Sequence, residues 1–434
     1  MMEAPAVFWL AAAGLILLSA LGSAALGSGR IGEFVYLFLT HGALYGAAVW
    51  WMIRNAESAP PVWLILLVAV VLRAISLNSP LALSTDAYRY VWDGRLMWEG
   101  ISPYVFVPAD ERLSHLRDAA IYPFINQKER AVTIYPPAAQ LVFMAGVWLS
   151  DGIAGMRAVM CLSEAVIVVA LLGWLRASRL PPSRILIYAW HPLPIWELTS
   201  QAHLDAAALA FLALAIWAAA CHRQGWSGAA LAAAGLVKVL PLALLPALWR
   251  RGDWRMPVAL VMTALILYAP HVTVAGAGVA GYLGQHLDNE GYVAGWGFHV
   301  VWLLRDFALA DPSGWHYAIA AATVLAGAGL WVLLTQRSDG LRPHALLLLG
   351  TLIVTLPSPH YPWYFALLTI LVVRAPHPAV VALSVLCVCL YLPRHPDGLT
   401  WTHVYALVYG LPLVILVASL AWHERRRFAL WLLR

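Results

Sequence analysis

Residues 61–95 read PVWLILLVAVVLRAISLNSPLALSTDAYRYVWDGR, and the change of character halfway along that string decides the fold. Its first half is apolar over the length of a membrane crossing, about 17–25 residues. Its second half opens a polar island, residues 78–133. This holds Asp86, Asp93, Glu99, Asp110, Glu111, Asp118 and Glu129, seven of the 22 acidic residues in the chain, balanced by Arg89, Arg95, Arg112, Arg117, Lys128 and Arg130. A loop this long without low complexity is more often functional than idle. Ser84, Thr85 and Asp86 are favoured cap residues and predict a short helix over 87–98, ended by Gly100 and Pro103. Trp92, Trp98, Ile101, Tyr104, Phe106 and Val107 are expected to rest against the membrane surface, as interfacial aromatic residues do.

Beyond this stretch the chain is apolar almost throughout. Of its 434 residues 62% are hydrophobic and 11% charged, with a mean hydropathy of +0.75, against about 45–50% and 25% in soluble domains. The expected fold is an all-α polytopic integral membrane protein, one domain over 1–434, with 78–133 as its extracytoplasmic catalytic loop. Candidate crossings lie near 6–26, 32–53, 61–77, 134–150, 156–175, 184–199, 203–221, 226–248, 256–273, 315–335, 343–357, 362–373, 378–392 and 403–422. Some are short or broken, so 11 to 14 spans are expected. The net charge of +5 comes mostly from Arg in short connections. That is an orientation signal, not a nucleic-acid footprint.

Turns at Arg54, Arg176, Arg223, Arg250, Arg337, Arg374 and Arg425–Arg427 are expected on the cytoplasmic side, which puts the polar island outside. Two places resist this alternation. The block 226–248 joins two Arg-bearing turns and needs a break near Lys238 to Pro241; and one of 134–150 and 156–175 should not span fully. Cys161, Cys221, Cys387 and Cys389 sit in or beside apolar segments and suggest neither disulfides nor a zinc site. The start Met-Met-Glu has no basic region before the first apolar run, so a retained first helix is expected, with a cleaved signal peptide ending in the small-residue stretch before Ser28 as the alternative. No internal repeat is visible.

Asp86 is the sharpest chemical candidate. A carboxylate at a membrane surface can deprotonate a hydroxyl while neighbouring cations, here Arg89 and Arg95, hold an anionic leaving group. Asp93 lies about 10 Å further along the helix axis, so the two acids cannot form a tight dyad; Asp93 would orient an Arg or a sugar hydroxyl. The plain alternative is that Asp86 caps the helix and Asp93 pairs with an Arg. Lys238 stands inside an apolar block, where an ammonium is a functional hypothesis by default, with a carrier phosphate as a fitting partner and a snorkelling lysine as the alternative. His203 and Asp205 open a helix, but two residues apart they do not face each other. Residues 357–364, PSPHYPWY, break the helical pattern, and His360, Trp363 and Tyr364 could line a pocket there. Residues 285–290, QHLDNE, add hydrogen-bonding groups. No nucleotide-binding loop, paired metal ligands or Gly-x-Ser-x-Gly is present. The cofactor expectation is therefore none, with a divalent ion left open.

At these residues the chain resembles the GT-C superfamily of polyprenyl-phosphate-sugar-dependent glycosyltransferases, and looks most similar to bacterial mannosyltransferases that use polyprenyl-phosphate mannose. The resemblance rests on residues 85–95, 100–104, 135–140, 203–205, 235–238 and 361–364, in that order along the chain. It implies transfer of a sugar, with mannose expected, by an inverting single displacement with the loop aspartate, here Asp86, as base. Asp93, Arg89, Arg95, Tyr90, Lys238, His203, Asp205, His360 and Tyr364 are the expected substrate-binding residues. The implied donor is a lipid-linked sugar, the acceptor a glycolipid, glycan or protein, and the setting the plasma (inner) membrane with the site outside. No nucleic acid is implied. Many relatives carry two adjacent acids where this chain has Thr85-Asp86, which argues against a two-carboxylate or metal-assisted scheme. The rival readings are a flippase for a lipid-linked sugar, which would want two pseudo-symmetric halves, and a polymerase or ligase using a diphosphate-linked donor.

Overall fold

The computed structural model describes residues 5–335, 341–394 and 399–432, with side chains as far as Trp422. The expectations on Met1 to Glu3, on Arg337 and on the Arg425–Arg427 side chains fall outside the described residues. Every regular element among those described is helical. α1 (Ala6–Gly27) and α2 (Ile31–Arg54) pack as a hairpin turned by Gly29, whose φ of +70° suits a residue without Cβ. α3 (Val62–Ser76) leads into the polar loop, which carries α4 (Asp86–Trp98). α5 (Pro137–Leu149), α6 (Ile153–Ala177) and the short α7 (Leu186–Ala189) follow. A π-helical turn, Pro194–Ser200, then bends by 115° into α8 (Asp205–Ala220). α9 (Gln224–Gly235), α10 (Leu245–Leu248), α11 (Arg255–Ala275), α12 (Leu283–Asn289), α13 (His299–Asp306) and α14 (Gly314–Leu334) come next. The chain ends in α15 (Pro343–Thr355), α16 (Ala366–Leu371), α17 (Pro378–Leu386), α18 (Trp401–Tyr405) and α19 (Leu411–Leu432).

Among the described residues six helical stretches are long and apolar enough to cross a membrane, the bent pair makes a seventh, and five more apolar helices are shorter. The shortness has a chemical cause. Prolines at 343, 362 and 378 start helices late, since a proline without N–H is tolerated in the first turn and not inside.

Both places that resisted simple alternation acquire a physical explanation. α5 has 13 residues, about 20 Å at 1.5 Å each, too short for a hydrocarbon core of about 30 Å. It lies along α4 instead. A Cβ on Gly94 would come within 2.5 Å of the Phe143 carbonyl, so only glycine allows this approach. Tyr90 stacks on Phe143 with ring centroids 4.6 Å apart, and Trp98 Nε1 donates to the Met144 carbonyl. The second anomaly, 226–248, breaks as two short arms: α9 ends at Gly235 and helix resumes at Leu240. Gln224 ties the far ends together, donating to the Leu248 carbonyl and accepting from the Arg250 N–H, so the chain returns to the level it left.

One expectation is corrected. Trp92 and Tyr104 do not face the membrane surface; both are buried, Trp92 beside Tyr122 and Tyr104 donating its hydroxyl to the Tyr135 carbonyl. Trp98 is half exposed.

Candidate active site

Asp86 is the first residue of α4. Thr85 occupies the cap position, no side chain closes the cap, and the Asp86 N–H donates to Ser84 Oγ at 3.1 Å. The Asp86 carboxylate is therefore not consumed in capping, and it makes no ion pair within 4 Å among the described residues. Burial pushes it up to about 6 from the usual 3.8; the charges of Asp205 and Glu290 push the same way, and Lys238 and Ser84 pull it back.

Those neighbours arrive from three elements. Lys238, in the break after α9, donates Nζ to Asp205 Oδ2 at 2.6 Å and sits 4.5 Å over the Tyr364 ring. Asp205 is brought there by the bend before α8. His203 takes a different direction, as the two-residue spacing predicts: it stacks on Trp363 at 3.9 Å, with Nε2 3.3 Å from Glu197 Oε2. His360 bridges Glu290 (Nδ1 to Oε2, 3.2 Å) and the Gly297 carbonyl (Nε2, 3.1 Å), and this hydrogen bond holds Glu290 below the usual carboxylate range. Gly281 anchors the segment before α12: its φ is +58°, a Cβ there would meet the Thr133 carbonyl at 2.0 Å, and the Tyr282 N–H donates to that same carbonyl. The loop that carries Glu290 thus docks on the end of the polar island.

The structure does not bring the other sequence candidates to Asp86. Arg89 Nε donates to Asp93 Oδ1 at 2.8 Å and its Nη1 to the Ala131 carbonyl, while Thr133 donates to Asp93 Oδ2 at 2.5 Å. That pair ties α4 to the returning end of the loop. Arg95 stands about 13 Å along the axis from Asp86 and is paired with Asp118 and Asp151, both at 2.7 Å. Tyr90 is the exception: one helical turn on from Asp86 and within reach of its charge, it is buried between Tyr135 and Phe143. No group of three or more His, Cys, Asp or Glu side chains among the described residues is placed to hold a metal ion.

Several charged residues escaped the sequence reading. Glu164 is buried with Arg73, Thr199 and Tyr188, and Glu197 accepts from Tyr391 at 2.9 and 3.1 Å. Each lies inside an apolar run, the same signal that marked Lys238.

A carboxylate raised to about 6 within the field of a half-buried lysine, in a many-helix membrane protein, makes a candidate active site at the foot of a polar loop. Residues 133–359, just over half of the chain, match Glycosyltransferase family 87. The chain belongs to that family and is a membrane glycosyltransferase, which agrees with the superfamily resemblance and speaks against the transporter class. The matched stretch contains His203, Asp205, Lys238 and Glu290 and starts after the segment carrying Asp86; His360 and Tyr364 lie just beyond it. Neither a curated protein nor a solved structure matches the chain.

Proposed function

We propose that the enzyme moves a sugar, with mannose the first choice, from a polyprenyl-phosphate donor to an acceptor hydroxyl on the extracytoplasmic face. The observation that carries this reading is the unpaired Asp86 carboxylate within the field of the Lys238–Asp205 pair. The acceptor O–H loses its proton to Asp86 as its oxygen attacks the anomeric carbon. The bond from that carbon to the phosphate oxygen breaks with inversion, and polyprenyl phosphate leaves with the electron pair. Lys238, held in place by its contact with Asp205, neutralises the departing anion. Tyr364 under Lys238, with Glu290, whose charge acts on Asp86, and its partner His360, supplies an aromatic surface and hydrogen-bonding groups suited to a sugar. Arg89, Asp93 and Arg95 support the loop in this scheme. The absence of a nucleotide-binding loop in the sequence favours a donor that reaches the site from the bilayer.

The test is donor choice by purified protein in lipid discs. Labelled mannose should move from polyprenyl-phosphate mannose to an extracted acceptor mixture. Transfer from a diphosphate-linked oligosaccharide instead would favour the polymerase or ligase reading, and transfer from neither would reject the donor class.

A further inference from the structure

Arg157, in the first turns of α6, touches neither Asp86 nor Lys238, yet it joins the two pieces of chain that carry the site. Its Nε donates to the Ser200 carbonyl at 2.9 Å, Nη1 to the Leu77 carbonyl at 3.0 Å and Nη2 to the Ser79 carbonyl at 2.7 Å. All three acceptors lie where the chain has left a helix: Leu77 and Ser79 follow α3, and Ser200 ends the π-helical turn. Carbonyls there have no intrahelical donor. A guanidinium, whose five N–H groups form a rigid planar fork, can serve three such acceptors at once, which an ammonium on a flexible stem does poorly.

The neighbouring residues complete a clip between the same two segments. Ser79 Oγ and Ser200 Oγ are 2.7 Å apart. Gln201 donates to the Pro80 carbonyl at 3.1 Å and accepts from the Leu83 N–H at 3.0 Å. Three residues after Leu83 comes Asp86, and four after Gln201 comes Asp205, the partner of Lys238. Chains that short span at most about 10–14 Å, so what fixes the two clipped ends also limits the separation of the groups beyond them.

We infer that Arg157 is a positioning residue which, with Gln201, clips residues 77–83 to the bend at 200–201 and so sets the distance between Asp86 and the Lys238–Asp205 pair. The inference rests on the reading of Asp86 and Lys238 as the reacting pair.

The full-length protein would be compared with its Arg157→Gln, Arg157→Lys and Gln201→Ala variants in lipid discs, with Arg112→Gln, an exposed change elsewhere in the loop, as the control. A misplacement of a fraction of an ångström to one ångström should lower kcat by roughly tenfold to hundredfold. Donor KM should stay nearly constant, and Arg157→Lys should fall between native and Arg157→Gln. Amide exchange should quicken by about tenfold in 79–86 and 200–205 and nowhere else, because opening is local. A kcat loss accompanied by faster exchange throughout, or a change in KM alone, would overturn the positioning role. So would local loosening with kcat unchanged. Should the native chain transfer nothing from the polyprenyl-phosphate donor, the exchange pattern still decides the clip: localised quickening supports it and uniform or absent quickening refutes it, while the missing transfer counts against the donor reading.

Discussion

Two of the charge clusters inside this molecule, those around Glu164 and Asp86, are built to opposite ends. Around Glu164 every valence is used: Oε2 accepts from Arg73 Nη2 at 2.6 Å, Arg73 Nε at 3.1 Å and Tyr188 at 3.0 Å, Oε1 accepts from Thr199, and Arg73 also donates to the Ala189 carbonyl. Around Asp86 the carboxylate has no ion-pair partner among the described residues, although a lysine acts on it from nearby. A buried pair with all its hydrogen bonds made fixes helices relative to one another. A carboxylate left unpaired and pushed towards neutrality is suited to taking a proton.

Substitutions can break that contrast, beginning with the largest effect. Asp86→Asn should lower transfer by roughly 10²–10⁴-fold with the protein still folded, measured as initial rate on purified material. Glu164→Ala should act on the fold and not the chemistry: it strands Arg73 and costs about 3–5 kcal/mol, visible as lost folded yield, while the surviving molecules keep their kcat. Lys238→Met should lower kcat by roughly 10²-fold, more than it changes stability. Arg95→Gln, whose partners Asp118 and Asp151 are partly exposed, should cost less than about 1 kcal/mol of stability, readable as a small fall in melting temperature.

The pH dependence sharpens the same comparison. Asp86 works as a base only when ionised, so transfer should climb through about pH 6 and flatten above it. The sign for stability runs the other way. A carboxylate whose folded value is raised from 3.8 to about 6 contributes stability below the lower value, and that contribution is lost as pH rises through the higher one. At pH 7.5 Asp86→Asn should therefore melt no lower than the native protein. A clear loss of melting temperature would show that the carboxylate is structural.

Much of the architecture was legible because it follows from composition and one-dimensional pattern. The apolar runs gave helices, the polar island gave a loop with a helix starting one residue before its expected position, and Arg-bearing turns exposed the two places where a simple crossing could not work. α5 and the Lys238 break are what such a parity conflict looks like in three dimensions. The site was legible in part. Lys238 stood out as an ionisable group in an apolar block and Asp205 as an acid opening a helix, but their pairing depends on a bend after Ser200 that no local propensity announces. Arg89, Asp93 and Arg95 looked like partners of Asp86 because they are near it in sequence; Arg89 and Asp93, three and seven residues on, lie on the same side of the helix but are taken by each other, the Ala131 carbonyl and Thr133, and Arg95 is held by Asp118 and Asp151. Glu164 and Arg157 were missed although each carries the same signal as Lys238, since one charge in an apolar run reveals neither its partner nor its depth. Trp92 was misplaced because an aromatic residue in an interfacial helix reads alike whether it meets lipid or its own core.

The most direct test of the central claim is to load purified native protein and Asp86→Asn with labelled polyprenyl-phosphate mannose, measuring donor binding and sugar transfer on the same samples. Equal binding with transfer lost only in Asp86→Asn is the predicted result. Transfer by Asp86→Asn at the native rate would contradict it, returning Asp86 to the role of a loop residue and leaving the base to be found elsewhere.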